Sequence, residues 1–150
     1  MKSEIFKKIV IATDGSENSA NAIKHAIELA RISEASLSAV YVVDTGAFVS
    51  IPVDMAMGNM YEILKTEGDN AVKQVEDLAQ AAGIETERFT IEGHPAEEII
   101  KFSENISADL IVMGTLGKSG LDRFLLGSVA EKVSRNSQTP VMVVRGENPK

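Results

Sequence analysis

A chain of 150 residues and 16.1 kDa, 44% hydrophobic and 25% charged, predicts one compact soluble domain and excludes both a membrane bundle and a disordered tail. Fifteen basic against 22 acidic residues leave a net charge of −7 with no basic stripe, which argues against nucleic acid as a partner. Cysteine is absent, so disulfides, thiolate metal sites, iron–sulfur clusters and cysteine nucleophiles are all excluded.

The first residues, Met1 to Lys8, are charged and lack the long apolar region and cleavage site of a signal peptide. No apolar run reaches the roughly 18 residues of a membrane span, so a cytoplasmic protein without a membrane segment is expected. Ile9-Val10-Ile11-Ala12 is a β-branched run closed by Asp14-Gly15, the pattern of a strand covered on both faces. Ser16 is expected to cap a helix in which Ala20, Ile23, Ile27 and Ala30 recur three and four apart, while Asn21, Lys24 and Glu28 face water. Leu37 to Val43 reads as the second strand, stopped by Asp44-Thr45-Gly46.

Residues 45–58 then form a long connection, with Phe48, Val49, Ile51, Pro52 and nearby Met55, Met57 and Met60, read as a functional flap or a partly disordered segment. The longest helix is placed at Tyr61–Ala82, with Leu64, Ala71, Val75, Leu78 and Ala82 on one face, Gly68 weakening its middle and Gly83 stopping it. Ile84 to Ile91, interspersed with Glu85, Glu87 and Thr90, reads as an edge strand. Gly93-His94-Pro95 turns the chain into a third helix, with Pro95 in first position and Ile99 and Ile100 inward. Leu110 to Met113 is the fourth strand, followed by a glycine-rich loop from Gly114 to Gly127. A short helix with Val129 and Val133 inward and a last strand, Val141 to Val144, complete the chain.

Strands joined by helical crossovers are parallel, and right-handed crossovers give an α/β, doubly wound, Rossmann-like five-stranded sheet of order 3-2-1-4-5 with helices on both faces. Its switch point lies between strands 1 and 4, and ligands bind such sheets outside the carboxyl ends of the strands there. The residues at that place are Asp14-Gly15 and Gly114-Thr115-Leu116-Gly117.

Gly114-x-x-Gly117 leaves a buried strand, and Gly127-Ser128 opens a helix after nine intervening residues. Glycines let amides crowd around a phosphate, the helix N-terminus adds free donors, and Ser128 adds a hydroxyl. Lys118 and Arg123 against Asp122 make this loop locally cationic in an acidic chain. Asp14 either stabilises its turn or caps the first helix, or else accepts ribose hydroxyls or holds a metal bound to phosphates. Gly117-Lys118-Ser119 imitates the tail of a P-loop, but the required earlier glycine is Val112. A dinucleotide fingerprint is likewise missing after the first strand, where the turn is Asp14-Gly15-Ser16. His25 and His94 have no metal-spaced companions and read as structural or exposed.

Gly114-x-x-Gly117-x9-Gly127-Ser128, with Ile11-Ala12-Thr13-Asp14-Gly15-Ser16 at the front and Pro140-Val-Met-Val-Val at the end, resembles the ATP-binding branch of the universal stress protein family along the whole chain. The resemblance implies ATP as ligand, accompanied by Mg2+ or Mn2+ with Asp14 as the metal-side residue. It places Ala12 and Asp14 on the adenosine side, Val42 against adenine through its backbone, and Met113, Gly114, Gly117, Gly127, Ser128 and Val129 around ribose and phosphates. It also implies a homodimer paired through Val141 to Val144, an apolar edge that needs cover.

Phosphoryl transfer needs an oriented water, and the sequence offers Asp14, Lys118 and Arg123 without an evident residue for that task. The expected function is therefore a nucleotide-dependent switch or signalling module in stress response, acting on an unknown protein partner, with at most slow ATP hydrolysis. The alternatives are a slow ATPase or phosphotransfer enzyme, and a dimeric scaffold binding AMP or no nucleotide.

Overall fold

In the computed structural model, which describes residues 2–48, 56–115 and 126–146, the apolar runs become five parallel strands. These are β1 (Lys8–Ala12), β2 (Ser36–Asp44), β3 (Thr86–Gly93), β4 (Leu110–Gly114) and β5 (Val141–Val144), in the spatial order β3-β2-β1-β4-β5. The expected doubly wound sheet is thus the observed one, with the order reversing between β1 and β4. Helices α1 (Ala20–Ser33), α2 (Ala56–Ala81), α3 (Pro95–Asn105) and α4 (Ser128–Asn136) cover it.

Alternate strand residues point to opposite faces, and the core divides accordingly into two layers. Ile9, Ile11, Leu37, Tyr41 and Val112 pack beneath α1 and α2, against Ile23, Ala26, Val72 and Val75. Val10, Val40, Ile111 and Met113 pack on the other face, against Ala96 and Ile99 of α3 and Ala130 and Val133 of α4. Each fully buried Val or Ile contributes about 1.5–3 kcal/mol of transfer free energy. That is why unbroken apolar runs occupy β1 and its neighbour β4, whose buried residues face both layers. No helix among the described residues is long and apolar enough to cross a membrane.

Several expectations need correction. Ser16 does not cap α1: Glu17–Ser19 form a short 3-10 turn, α1 starts at Ala20, and neither Ser16 nor Ser19 makes a side-chain cap bond. The inward set of α1 is Ala22, Ile23, Ala26 and Ala30, with Ile27 half-buried and Ala20 exposed. Asn21, expected to face water, is half-buried and donates from Nδ2 to the Arg145 carbonyl at 2.8 Å.

Helix α2 begins five residues earlier than expected, at Ala56, and Thr45–Phe48 forms a 3-10 turn, so part of the 45–58 connection is ordered backbone; residues 49–55 lie outside the described ones. The buried stripe of α2 is Gly68, Ala71, Val72, Val75 and Ala79, while Leu78 is 46% exposed and Ala82 is also outside. Leu78 and Ala82 fall outside because the stripe turns one residue past the sequence reading. Gly83 does end the helix: at φ +79° its amide donates to Gln80 O and the Ile84 amide to Ala79 O, the two-bond closure that favours glycine. Strand β3 starts at Thr86, two residues later than expected, and is an edge strand with Glu87, Arg88 and Glu92 exposed. Pro95 opens α3 and Ile99 is buried, as expected.

Candidate functional site

At the switch point the carboxyl ends of β1 and β4 lie side by side, Ala12 in register with Met113 of β4 and with Val40 of β2. Ala12 and Met113 are buried in the layer under α3 and α4, and half-buried Val42 and Val129 pack against that same layer. Four of the residues named from sequence therefore share one apolar wall, although they come from three strands and a helix.

The two halves of the glycine motif meet. Strand β4 continues through the Thr115 amide, which donates to Val144 O at 3.1 Å, and the Gly127 amide donates to Thr115 O at 2.7 Å. The chain thus leaves β4 and returns to the same point before entering α4. Gly127 is the N-cap of α4 and offers no side chain, and the Glu131 amide makes the bond back to Gly127 O at 2.9 Å. The amides of Ser128, Val129 and Ala130 come before that bond, where a helix start leaves donors for an anion. Ser128 is exposed beside them. Gly117, with Lys118, Ser119, Asp122 and Arg123, lies outside the described residues.

Gly114 brings a second backbone to this place. A Cβ there would stand 3.1 Å from Asn18 O and 3.7 Å from Ser19 Cα, so the 3-10 turn after β1 rests directly on the end of β4. On its other side the β1 turn meets α2: Gly15, at φ +79°, comes within 3.4 Å of Ala71 Cβ, measured from the Cβ it lacks.

Asp14 is held within its own turn. Its Oδ1 accepts the Ser16 amide at 2.9 Å and the Ser16 hydroxyl at 2.5 Å. The turn-stabilising reading of Asp14 is therefore observed, and it leaves the other carboxylate oxygen for a further donor. Among the described residues no group of three His, Cys, Asp or Glu side chains could hold a metal. A cation here would take Asp14 as one carboxylate and the rest of its shell from phosphates and water, the usual arrangement for Mg2+.

Sequence reasoning missed Thr13 and Ser19, whose side chains are buried behind Asp14 with their oxygens 3.1 Å apart. The signal was present as hydroxyls three residues apart, Thr13, Ser16 and Ser19, around Asp14-Gly15. His25 and His94 are exposed, as expected, and His25 Nδ1 stands 2.8 Å from Asn21 O.

The Glu92 carboxylate at the carboxyl end of β3 holds the phenol of Tyr61 of α2 above its ordinary pKa, first as a hydrogen-bond acceptor for the neutral form, with desolvation and repulsion of a phenolate acting in the same direction. A raised value means the contact is intact below the ordinary tyrosine range and is lost as pH rises through the shifted one. Glu92→Gln should bring the Tyr61 titration back down, as read by ultraviolet difference absorbance; an unchanged midpoint would refute the contact.

Open depressions of about 560 and 600 Å³ lie elsewhere, beside Asp109 and Pro140 at the amino ends of β4 and β5 and between α3 and α4 over Ile100. Neither gathers a glycine turn and a helix start as the switch point does.

The sequence model of the universal stress protein family matches residues 5–145. The chain belongs to the universal stress protein family. It is 49% identical to the universal stress protein MJ0531 of Methanocaldococcus jannaschii over 141 residues, which cover 94% of this chain and 83% of that relative. Its fold matches the solved structure of MJ0577 from the same organism with a TM-score of 0.84 at 31% identity, over 97% of this chain and 99% of that one. A universal stress protein solved in complex with cAMP matches with a TM-score of 0.71 at 27% identity, over 96% and 100% of the two chains. The β3-β2-β1-β4-β5 sheet of this universal stress protein is thus shared with its structural relatives.

Proposed function

We propose that this universal stress protein binds ATP, with Mg2+ or Mn2+ on the phosphates, in the crevice at the β1/β4 switch point. The observation that carries the reading is the Gly127-to-Thr115 hydrogen bond. It sets the uncapped start of α4 against the end of β4, beside the Ala12, Met113 and Val42 wall. Phosphates suit the amides of Ser128, Val129 and Ala130 at the start of α4, and Gly114 allows close backbone approach. Adenine and ribose suit the apolar wall, the Val42 backbone and Asp14. A cyclic adenine nucleotide in a relative supports the same ligand class.

The role that follows is a binding switch: ATP bound at the start of α4 changes the surface shown to a protein partner, with hydrolysis at most slow. Pairing of two copies through β5, whose Val141, Met142 and Val143 are only half-buried, belongs to the same reading. Calorimetric titration with ATP, ADP and AMP tests it. Wild-type protein should bind ATP, and Gly127→Val should weaken binding by more than about tenfold, the worth of one lost charge-assisted hydrogen bond. Equal affinity in both proteins would remove the cradle. Fast phosphate release abolished by Asp14→Ala would replace the switch with an enzyme, and a monomer by light scattering at micromolar concentration would remove the pairing.

A further inference from the structure

The turn that carries Asp14 is closed by side chains whose proton donors can be assigned one by one. The Ser19 hydroxyl has a single proton, and it goes to Ser16 O at 2.8 Å. The contact of 3.1 Å between Thr13 Oγ1 and Ser19 Oγ is then donated by Thr13. Thr13 Oγ1 in turn accepts the Gly15 amide at 3.1 Å. The bonds run in one direction, from the Gly15 amide through the Thr13 and Ser19 hydroxyls to the Ser16 carbonyl. Ser16, gripped at its carbonyl, presents its amide and hydroxyl to Asp14 Oδ1. Thr13 and Ser19 are 6% and 4% exposed, so the chain is shielded from water, and Ser19, though the N-cap residue of α1, makes no side-chain cap bond.

We propose that Thr13 and Ser19 are a positioning pair: through Ser16 they commit one oxygen of Asp14 to the protein and hold the other in a fixed place for the nucleotide. The proposal rests on the nucleotide reading for its ligand. Its geometry stands on the unliganded turn. A flexible Asp14 would offer either oxygen and pay an ordering cost on each binding event, whereas the clamped one is preorganised.

Thr13→Val keeps the shape and removes the hydroxyl, and Thr13→Ser restores it. In unliganded protein, hydrogen exchange at the Ser16 amide should quicken by about tenfold in Thr13→Val and stay near wild type in Thr13→Ser, the effect of one hydrogen bond lost. ATP affinity, measured by calorimetry with magnesium, should fall by a similar factor in Thr13→Val. In an Asp14→Ala background the same change should have no further effect, because Thr13 acts through Asp14. Ser19→Ala supplies the same test should Thr13→Val fold poorly. Unchanged Ser16 exchange overturns the proposal, as does an equal loss of affinity with and without Asp14. Wild-type protein that binds no ATP overturns the nucleotide reading, while the exchange measurement still decides whether the pair holds the turn.

Discussion

Valine at position 114 should cut ATP affinity by about a hundredfold or more, the loss of two charge-assisted hydrogen bonds to phosphate. The Cβ alone would stand 3.1 Å from Asn18 O, and two further methyl groups have to find room beyond it. Neither wall yields cheaply. The 3-10 turn is fastened by the Ser19 bond to Ser16 O and by the Thr13 contact, and Gly114 is registered against Val144 on β5. Strain therefore passes along the next residue, Thr115, which carries both the link to Val144 and the anchor of Gly127. Moving that anchor moves the helix start and its amides. Gly114→Ala asks only a few tenths of an ångström of its neighbour and should cost a few-fold. Calorimetric titration of both variants checks the order, and undiminished affinity in Gly114→Val would place the phosphates elsewhere.

Leucine at position 68 should destabilise the fold by about 3 kcal/mol or more, against the sign that helix propensity predicts. Removing a glycine from a helix interior ordinarily gains up to about 1 kcal/mol. Here a Cβ would fall 2.5 Å from Tyr41 Cδ1, 2.9 Å from Cε1 and 3.0 Å from Thr90 Cγ2. Tyr41 is 3% exposed, and its ring belongs to the core between β2 and α2, so it has nowhere to go. Overpacking of this kind costs about 1–3 kcal/mol even for small additions, which outweighs the propensity gain. Gly68→Ala should already lower the urea midpoint with an unchanged slope. A higher midpoint would mean that α2 does not lie this close to the sheet.

Gly68 also shows where sequence reading stops. The strand order was legible because buried parallel strands need unbroken apolar runs, and Ile9–Ala12 and Leu110–Met113 have them. The phase of α2 was legible only in part: Ala71 and Val75 are inward as expected, but a stripe chosen for large residues takes Leu78 in place of Ala79 and does not register the close packing of Gly68 on Tyr41. In the site, Ala12, Val42, Met113 and Val129 are named through the family resemblance rather than from spacing, and strand alternation together with the opening of α4 brings them to one face. The role of Ser16 was not readable, because the same hydroxyl can cap a helix or bond to a carboxylate two residues back. Only the intervening 3-10 turn decides between them.

The two borders of the sheet are unlike. Strand β3 carries exposed Glu87, Arg88 and Glu92, while β5 is Val-Met-Val-Val. A strand from another copy would find a welcome along β5 and charged obstruction along β3. Two copies joined at β5 would show the surroundings only β3, at both outer ends. Growth of such a sheet would thus terminate itself after a single addition, and an apolar border that invites fibres in other contexts would here be limited to a finite assembly.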